Sequence, residues 1–177
     1  ISVFIVSVLS RQSVLAPKLP IESEKKSYWS RLYGSAKSLI IANTSSQMKN
    51  PVVVITKDVL SAVNLANELQ QFVKNTEETP IKFFPDWETL PYDIYSPYQD
   101  ILSERLKTLY ELTNLSSGIV VVPITTLMHR LLPIDHLLKN AFSLDLGQKI
   151  NLDDFRKRLI RQGYNFVSHV TEHGEVC

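Results

Sequence analysis

An α/β fold built on a parallel sheet is the class that this 177-residue chain predicts. Three observations point there. Two short runs, residues 52–55 and 119–122, are wholly apolar and β-branched, the pattern of strands covered on both faces. Stretches with helical spacing lie between and around them. Helix and strand alternate along the chain, the order of a parallel sheet with helices on both faces.

Each element follows from its residues. Residues 11–27 are polar, contain proline and carry Glu22, Glu24, Lys25 and Lys26, so they read as a connector. Gly34 sits in a turn, and a helix starts near Lys37, carrying Leu39, Ile40, Ile41 and Ala42. Pro51 punctuates, and the first strand follows. Asp58 is placed to cap a helix with Leu60, Val63, Leu65, Ala66, Leu69 and Phe72 at helical spacing. Residues 81–84 form a short strand. Ile101, Leu102, Leu106, Leu109 and Leu112 repeat the helical period. Gly118 then ends a turn before the strand at 119–122.

The remaining residues read as a small α+β unit. Residues 142–146 alternate like a half-exposed strand. Asn151 caps a helix with Leu152, Phe155, Leu159 and Ile160 on its apolar side, and Gly163 suits the C′ position. Residues 164–170 read as a strand.

Composition excludes several function classes. A formal net charge of +1 offers no bulk electrostatic case for nucleic acid or a membrane surface. The apolar opening, ISVFIVSVLS, is too short to span a bilayer and lacks a basic region before it. The lone cysteine, Cys177, excludes an internal disulfide framework, so a reducing cytoplasmic compartment is expected. His169 and His173 lie four apart without a Cys or carboxylate cluster, and no metal site is expected. The missing initiator Met and the abrupt end suggest a fragment of a longer protein.

Two segments carry the functional question. Residues 34–38, GSAKS, stand where a phosphate-binding GxxxxGK[ST] loop stands in other proteins. That loop uses glycines so that backbone N–H groups cradle phosphates, a Lys on the β/γ-phosphates and a Ser or Thr on Mg²⁺. Lys37 and Ser38 are kept. Arg31 and Ala36 replace the two glycines, and a side chain at 36 disfavours the left-handed backbone of such a nest. With Gly34, these residues make a degenerate phosphate loop, or simply a helix start with a surface lysine. Residues 83–100, FFPDWETLPYDIYSPYQD, are too aromatic for a linker. They read as a structured loop anchored by its rings, with Asp86, Glu88 and Asp93 solvated or capping.

Read together, these segments resemble the amino-terminal, UvrB-like module of the bacterial transcription-repair coupling factors. The resemblance runs from about Leu32 to Glu175. It is strongest at Asp86, Trp87, Glu88, Leu90, Pro91, Tyr92 and Asp93, and continues through Gln99, Asp100, Arg105, Thr126, Leu127 and Arg130. Tyr164 and Glu172-His173-Gly174-Glu175 carry it into the last unit. UvrB has a long β-hairpin after its aromatic segment, and here Ser96-Pro97-Tyr98-Gln99-Asp100 passes directly into a helix.

The resemblance implies three parts: a connector at 1–30, a RecA-like domain with a degenerate phosphate loop at 31–132, and the first part of an inserted α+β domain at 133–177. It implies a catalytically inactive scaffold that takes no cofactor. ATP and Mg²⁺ belong to a motor elsewhere in the parent, an ATP-dependent DNA translocase. The partners implied are UvrA through the inserted domain, and RNA polymerase and DNA through other domains. Arg156, Arg158 and Arg161 on one helix, with His173, Gly174 and Glu175, are the candidate UvrA contacts. The alternative is an active nucleotide-binding domain of a UvrB-like helicase, with Lys37 and Ser38 still holding phosphate and Mg²⁺.

Overall fold

The computed structural model describes residues 28–89, 94, 96–142, 144 and 146–177, together with Leu15 and Leu19. Most of the connector therefore lies outside the described residues, as do Leu90, Pro91, Tyr92 and Asp93 of the aromatic loop. The chain is α/β with a small parallel sheet, as its alternation predicts. It divides into two compact units, Ile1–Asp86 with Asn114–Arg130, and Trp87–Thr113 with Leu131–Cys177.

The first unit holds a three-stranded sheet. Its strands are β1 (Val52–Thr56), β2 (Ile81–Phe83) and β3 (Ile119–Pro123), all parallel, in the order β1-β3-β2. The last strand in sequence is thus the central one. It is buried at all five positions, because alternate side chains point to opposite faces and both faces are covered. Val52–Ile55 carry the same residue types, yet Ile55 is 38% exposed. The difference is position: among the described residues β1 is an edge strand, with a neighbour on one side.

Helix α1 (Ala36–Gln47) follows the Gly34 turn, and α2 (Val59–Phe72) follows Asp58. Asp58 caps α2 as expected, its Oδ1 accepting from the Ser61 amide at 2.6 Å. Ala62, Leu65, Ala66 and Leu69 of α2 form the core with Ala42 of α1 and Ile119 and Val121 of β3. Leu60, expected on that stripe, is 70% exposed. Gly118 lies where the strands converge. Its carbonyl accepts from the Val52 amide at 2.8 Å, and the Pro80 carbonyl accepts from Ile119 at 2.9 Å. At φ +126° only glycine fits: a Cβ would sit 2.4 Å from the Pro80 oxygen. A short helix, α4 (Ile124–Met128), continues from β3.

The second unit contains α3 (Gln99–Thr113), α5 (Ile134–Asn140), α6 (Leu152–Arg161) and a two-residue parallel pair, β4 (Asn165–Phe166) with β5 (Glu175–Val176). α3 packs on α5. The fully buried positions of α3 are Arg105 and Thr108, whereas its leucines are only partly covered or exposed. Asn151 caps α6 through its Oδ1, which accepts from the Asp153 and Asp154 amides at 3.0 and 3.3 Å. Gly163, at φ +85°, closes the other end. The Gly163 amide donates to Ile160 and the Tyr164 amide to Leu159, the paired bonds of a Schellman cap.

Two expectations fail in this unit. The described residues of 142–146 form no strand, and the strand expected at 164–170 is reduced to Asn165 and Phe166. Of the four apolar residues expected to face the core from α6, Leu159 is buried and Phe155 partly so, while Leu152 and Ile160 are exposed. A unit this small has too little interior to cover a full apolar stripe.

Candidate functional site

The phosphate-loop-like turn is built by two left-handed residues, Arg31 at φ +57° and Gly34 at φ +54°. They bring the chain into α1 with Ser35 as the N-cap residue. The Ala36 amide donates to the Tyr33 carbonyl at 3.2 Å and the Leu39 amide to the Ser35 carbonyl at 3.0 Å. The Ala36 N–H therefore closes the turn on itself. Lys37 is exposed to solvent, and Ser38 is fully buried. The Ser38 hydroxyl donates to a carboxylate oxygen of Glu68 on α2. A serine that holds Mg²⁺ must present its oxygen to the ion, and this one faces the α1–α2 interface. Glu68 has no signal in the sequence as its partner, because thirty residues separate the two.

The aromatic segment contributes to both units, and each half has its own partners. In the first unit, Asp86 follows β2 and accepts from the Thr125 hydroxyl. His129 Nε2 lies 4.0 Å from the other Asp86 oxygen. Thr126, between them in sequence, is fully buried, and its hydroxyl has no hydrogen-bond partner among the described residues. In the second unit, the Arg105 guanidinium lies over the Trp87 ring, 4.3 Å from its centroid. Glu88 is exposed and takes the left-handed conformation at φ +58°, which turns the chain after Trp87.

The candidate contacts near the end of the chain fall into two groups. Along α6, the Arg156 guanidinium stacks on Phe166 at 4.7 Å and that of Arg158 on Phe142 at 4.5 Å. Both side chains are exposed, as is Arg161. Their heads are held against rings, which fixes their geometry without removing them from water. The turn at 171–175 is organised from within. Glu175 Oε2 accepts from the Thr171 amide at 2.7 Å, the Thr171 hydroxyl at 3.0 Å and the Glu172 amide at 3.0 Å. The Thr171 amide, then the Glu172 amide and the Thr171 hydroxyl, hold the Glu175 carboxyl below the usual glutamate value of 4.5. Gly174 at φ +89° lets the chain double back. His173 leaves the turn and pairs with Asp100 of α3, Nε2 to Oδ1, at 3.0 Å. Glu175 therefore shapes the turn, and His173 fastens it.

Among the described residues, no group of three or more His, Cys, Asp or Glu side chains could hold a metal ion, and no helix is long and apolar enough to cross a membrane.

No protein-family model matches the chain. Curated relatives do. The chain is 38% identical over 157 residues to the transcription-repair-coupling factor of Escherichia coli K12, a match that covers 89% of this chain and 13% of that protein. It is 38% identical over 159 residues to the same factor of Haemophilus influenzae, covering 90% of this chain and 14% of the relative. The Staphylococcus aureus USA300 factor is 28% identical over 141 residues, 80% of this chain and 12% of its own length. The chain thus spans about an eighth of the curated relatives that it matches. The aromatic loop, the buried Arg105 and the Glu175-centred turn all fall in a chain that, over nine-tenths of its length, belongs to the transcription-repair-coupling factor family.

Proposed function

We propose that this chain is a non-catalytic, UvrB-like docking segment of a transcription-repair coupling factor. It is a scaffold of RecA type whose residues 133–177 recruit UvrA. The whole protein couples ATP hydrolysis to movement on DNA and to displacement of RNA polymerase in the cytoplasm, through domains elsewhere in its length. The observation that carries the loss of nucleotide chemistry is the fate of Ser38. Its hydroxyl is committed to Glu68 inside the α1–α2 interface, and the neighbouring Ala36 amide closes a turn. Each charge-assisted bond to phosphate that is forfeited costs roughly 1.5–3 kcal/mol, so losing two or three moves a micromolar nucleotide site towards millimolar. Recruitment of UvrA is supported by the resemblance of residues 133–177 to the UvrB domain that binds it, and by the row of exposed arginines on α6.

Two measurements test this reading. Calorimetric titration of the chain with Mg-ATP is expected to be flat. A micromolar dissociation constant that disappears in Lys37→Ala would overturn the scaffold and favour an active nucleotide-binding domain. Immobilised chain is expected to retain purified UvrA weakly and in a salt-sensitive way, and Arg161→Glu is expected to reduce it. Retention indistinguishable from an empty resin would overturn the docking role.

A further inference from the structure

We infer that a concavity in the second unit, between α6 and the segment leading into it, receives one apolar side chain of a protein partner, presented on an acidic stretch. The inference rests on the docking role proposed above and specifies what is docked. Phe142 and Phe155 line it as an edge-to-face pair, centroids 5.5 Å apart and planes at 87°. Leu144 and Ile150 also line it and are 50% and 39% exposed. The volume is about 300 Å³, the low end for ligand pockets, so it has room for a side chain or two and little more. A small open hollow lined by an aromatic pair and by half-exposed aliphatic side chains gains most from a partner that dries it.

Charge identifies the chemistry of the partner. Lys149 and Arg158 line the hollow and are exposed. The Arg158 guanidinium is stacked on Phe142, which presents its planar fork for a bidentate carboxylate at little further entropic cost. Asp154 also lines the hollow, and its carboxylate pairs with Lys157 at 3.7 Å. Over residues 142–161 five cations face three carboxylates. An apolar anchor flanked by Glu or Asp satisfies the rings and the two cations together. A basic flank is repelled, and a polar anchor leaves the rings wet.

The test uses the whole chain, isotope-labelled, and an acetylated Glu-Glu-Leu-Leu-Glu-Glu amide as probe. The expected result is amide shifts confined to Phe142, Lys149–Phe155 and Arg158. Binding should be at least about tenfold tighter than for the same peptide with Ser for Leu or Lys for Glu. Phe142→Ala should weaken it about tenfold, and the exposed substitution Lys149→Glu, which leaves the fold intact, should do the same. Equal binding of acidic and basic peptides, no binding below about 1 mM, or shifts spread elsewhere would overturn the inference. Retention of UvrA, measured alongside, separates the two claims. A chain that retains UvrA but ignores the peptides loses the pocket alone, and one that takes the peptides but not UvrA loses the docking role.

Discussion

Arg105 covers Trp87: its guanidinium lies 4.3 Å from the ring centroid while the arginine itself is 2% exposed. A buried cation from α3 and the tryptophan of the aromatic loop thus stabilise one another. Arg105→Ala removes the stack and the packing of the arginine stem, and should cost about 2–4 kcal/mol. Trp87→Ala should cost about 3 kcal/mol, somewhat less than for a fully buried ring. In a double-mutant cycle followed by thermal melting, the two should couple by about 1–2 kcal/mol. Strict additivity would show that each is held by other neighbours.

Ser38 and Glu68 give a second prediction. Ser38→Ala leaves a carboxylate at the α1–α2 interface without its donor and should cost about 1–3 kcal/mol in chemical denaturation. Lys37→Ala, at an exposed neighbour, should fall within about 0.5 kcal/mol. Reversal of that order would mean that the hydroxyl is not structural.

Gly118→Ala is expected to be the most damaging single change in the first unit. It combines left-handed backbone with a Cβ placed 2.4 Å from the Pro80 oxygen, a backbone atom that also serves β3. We expect about 3–5 kcal/mol, read as a lowered melting temperature. Gly163→Ala meets only the backbone strain, since nothing lies within 4 Å, and should cost about 1 kcal/mol. Equal effects would show that the close approach to Pro80 relaxes.

Acid should release the turn at 171–175 before the rest of its unit. The Glu175 carboxyl is held below the usual 4.5 by the Thr171 amide first, then the Glu172 amide and the Thr171 hydroxyl. A depressed folded-state value means stability that is present above the unfolded value and lost as pH falls through the folded one. The protection factors of the Thr171 and Glu172 amides, with the intrinsic exchange rate divided out, should therefore be high at neutral pH and fall as pH drops below the usual glutamate value of 4.5. Glu175→Gln should lack that protection at every pH. A wild-type profile without a step would overturn the assignment.

Much of this architecture is legible locally. The β-branched runs predict β1 and β3, and Asp58, Asn151 and Gly163 announce the ends of α2 and α6 because caps act over three or four residues. What escapes is long-range. Ser38 meets Glu68 across thirty residues and Asp86 meets Thr125 across thirty-nine, with no spacing rule to connect them. Helix α3 misleads for a different reason: its leucine period is real, yet the positions buried in full belong to Arg105 and Thr108. Strand order is likewise silent in the sequence. Of the candidate site, the aromatic loop and the α6 arginines are legible as residues, whereas the rings that position Arg156 and Arg158 emerge only in three dimensions.

The strand order has a consequence for how the chain is made. Among the described residues β1 and β2 each pair with β3 and not with one another. A nascent chain that has emitted β1 must wait for residues 57–118 before any sheet can form, roughly 3–12 s at ordinary translation speed. Throughout that interval Val52–Thr56 lacks the strand it finally pairs with, and α1 and α2 have only one another and unpaired strands to pack on. The first unit is born in one step, when its innermost strand arrives last.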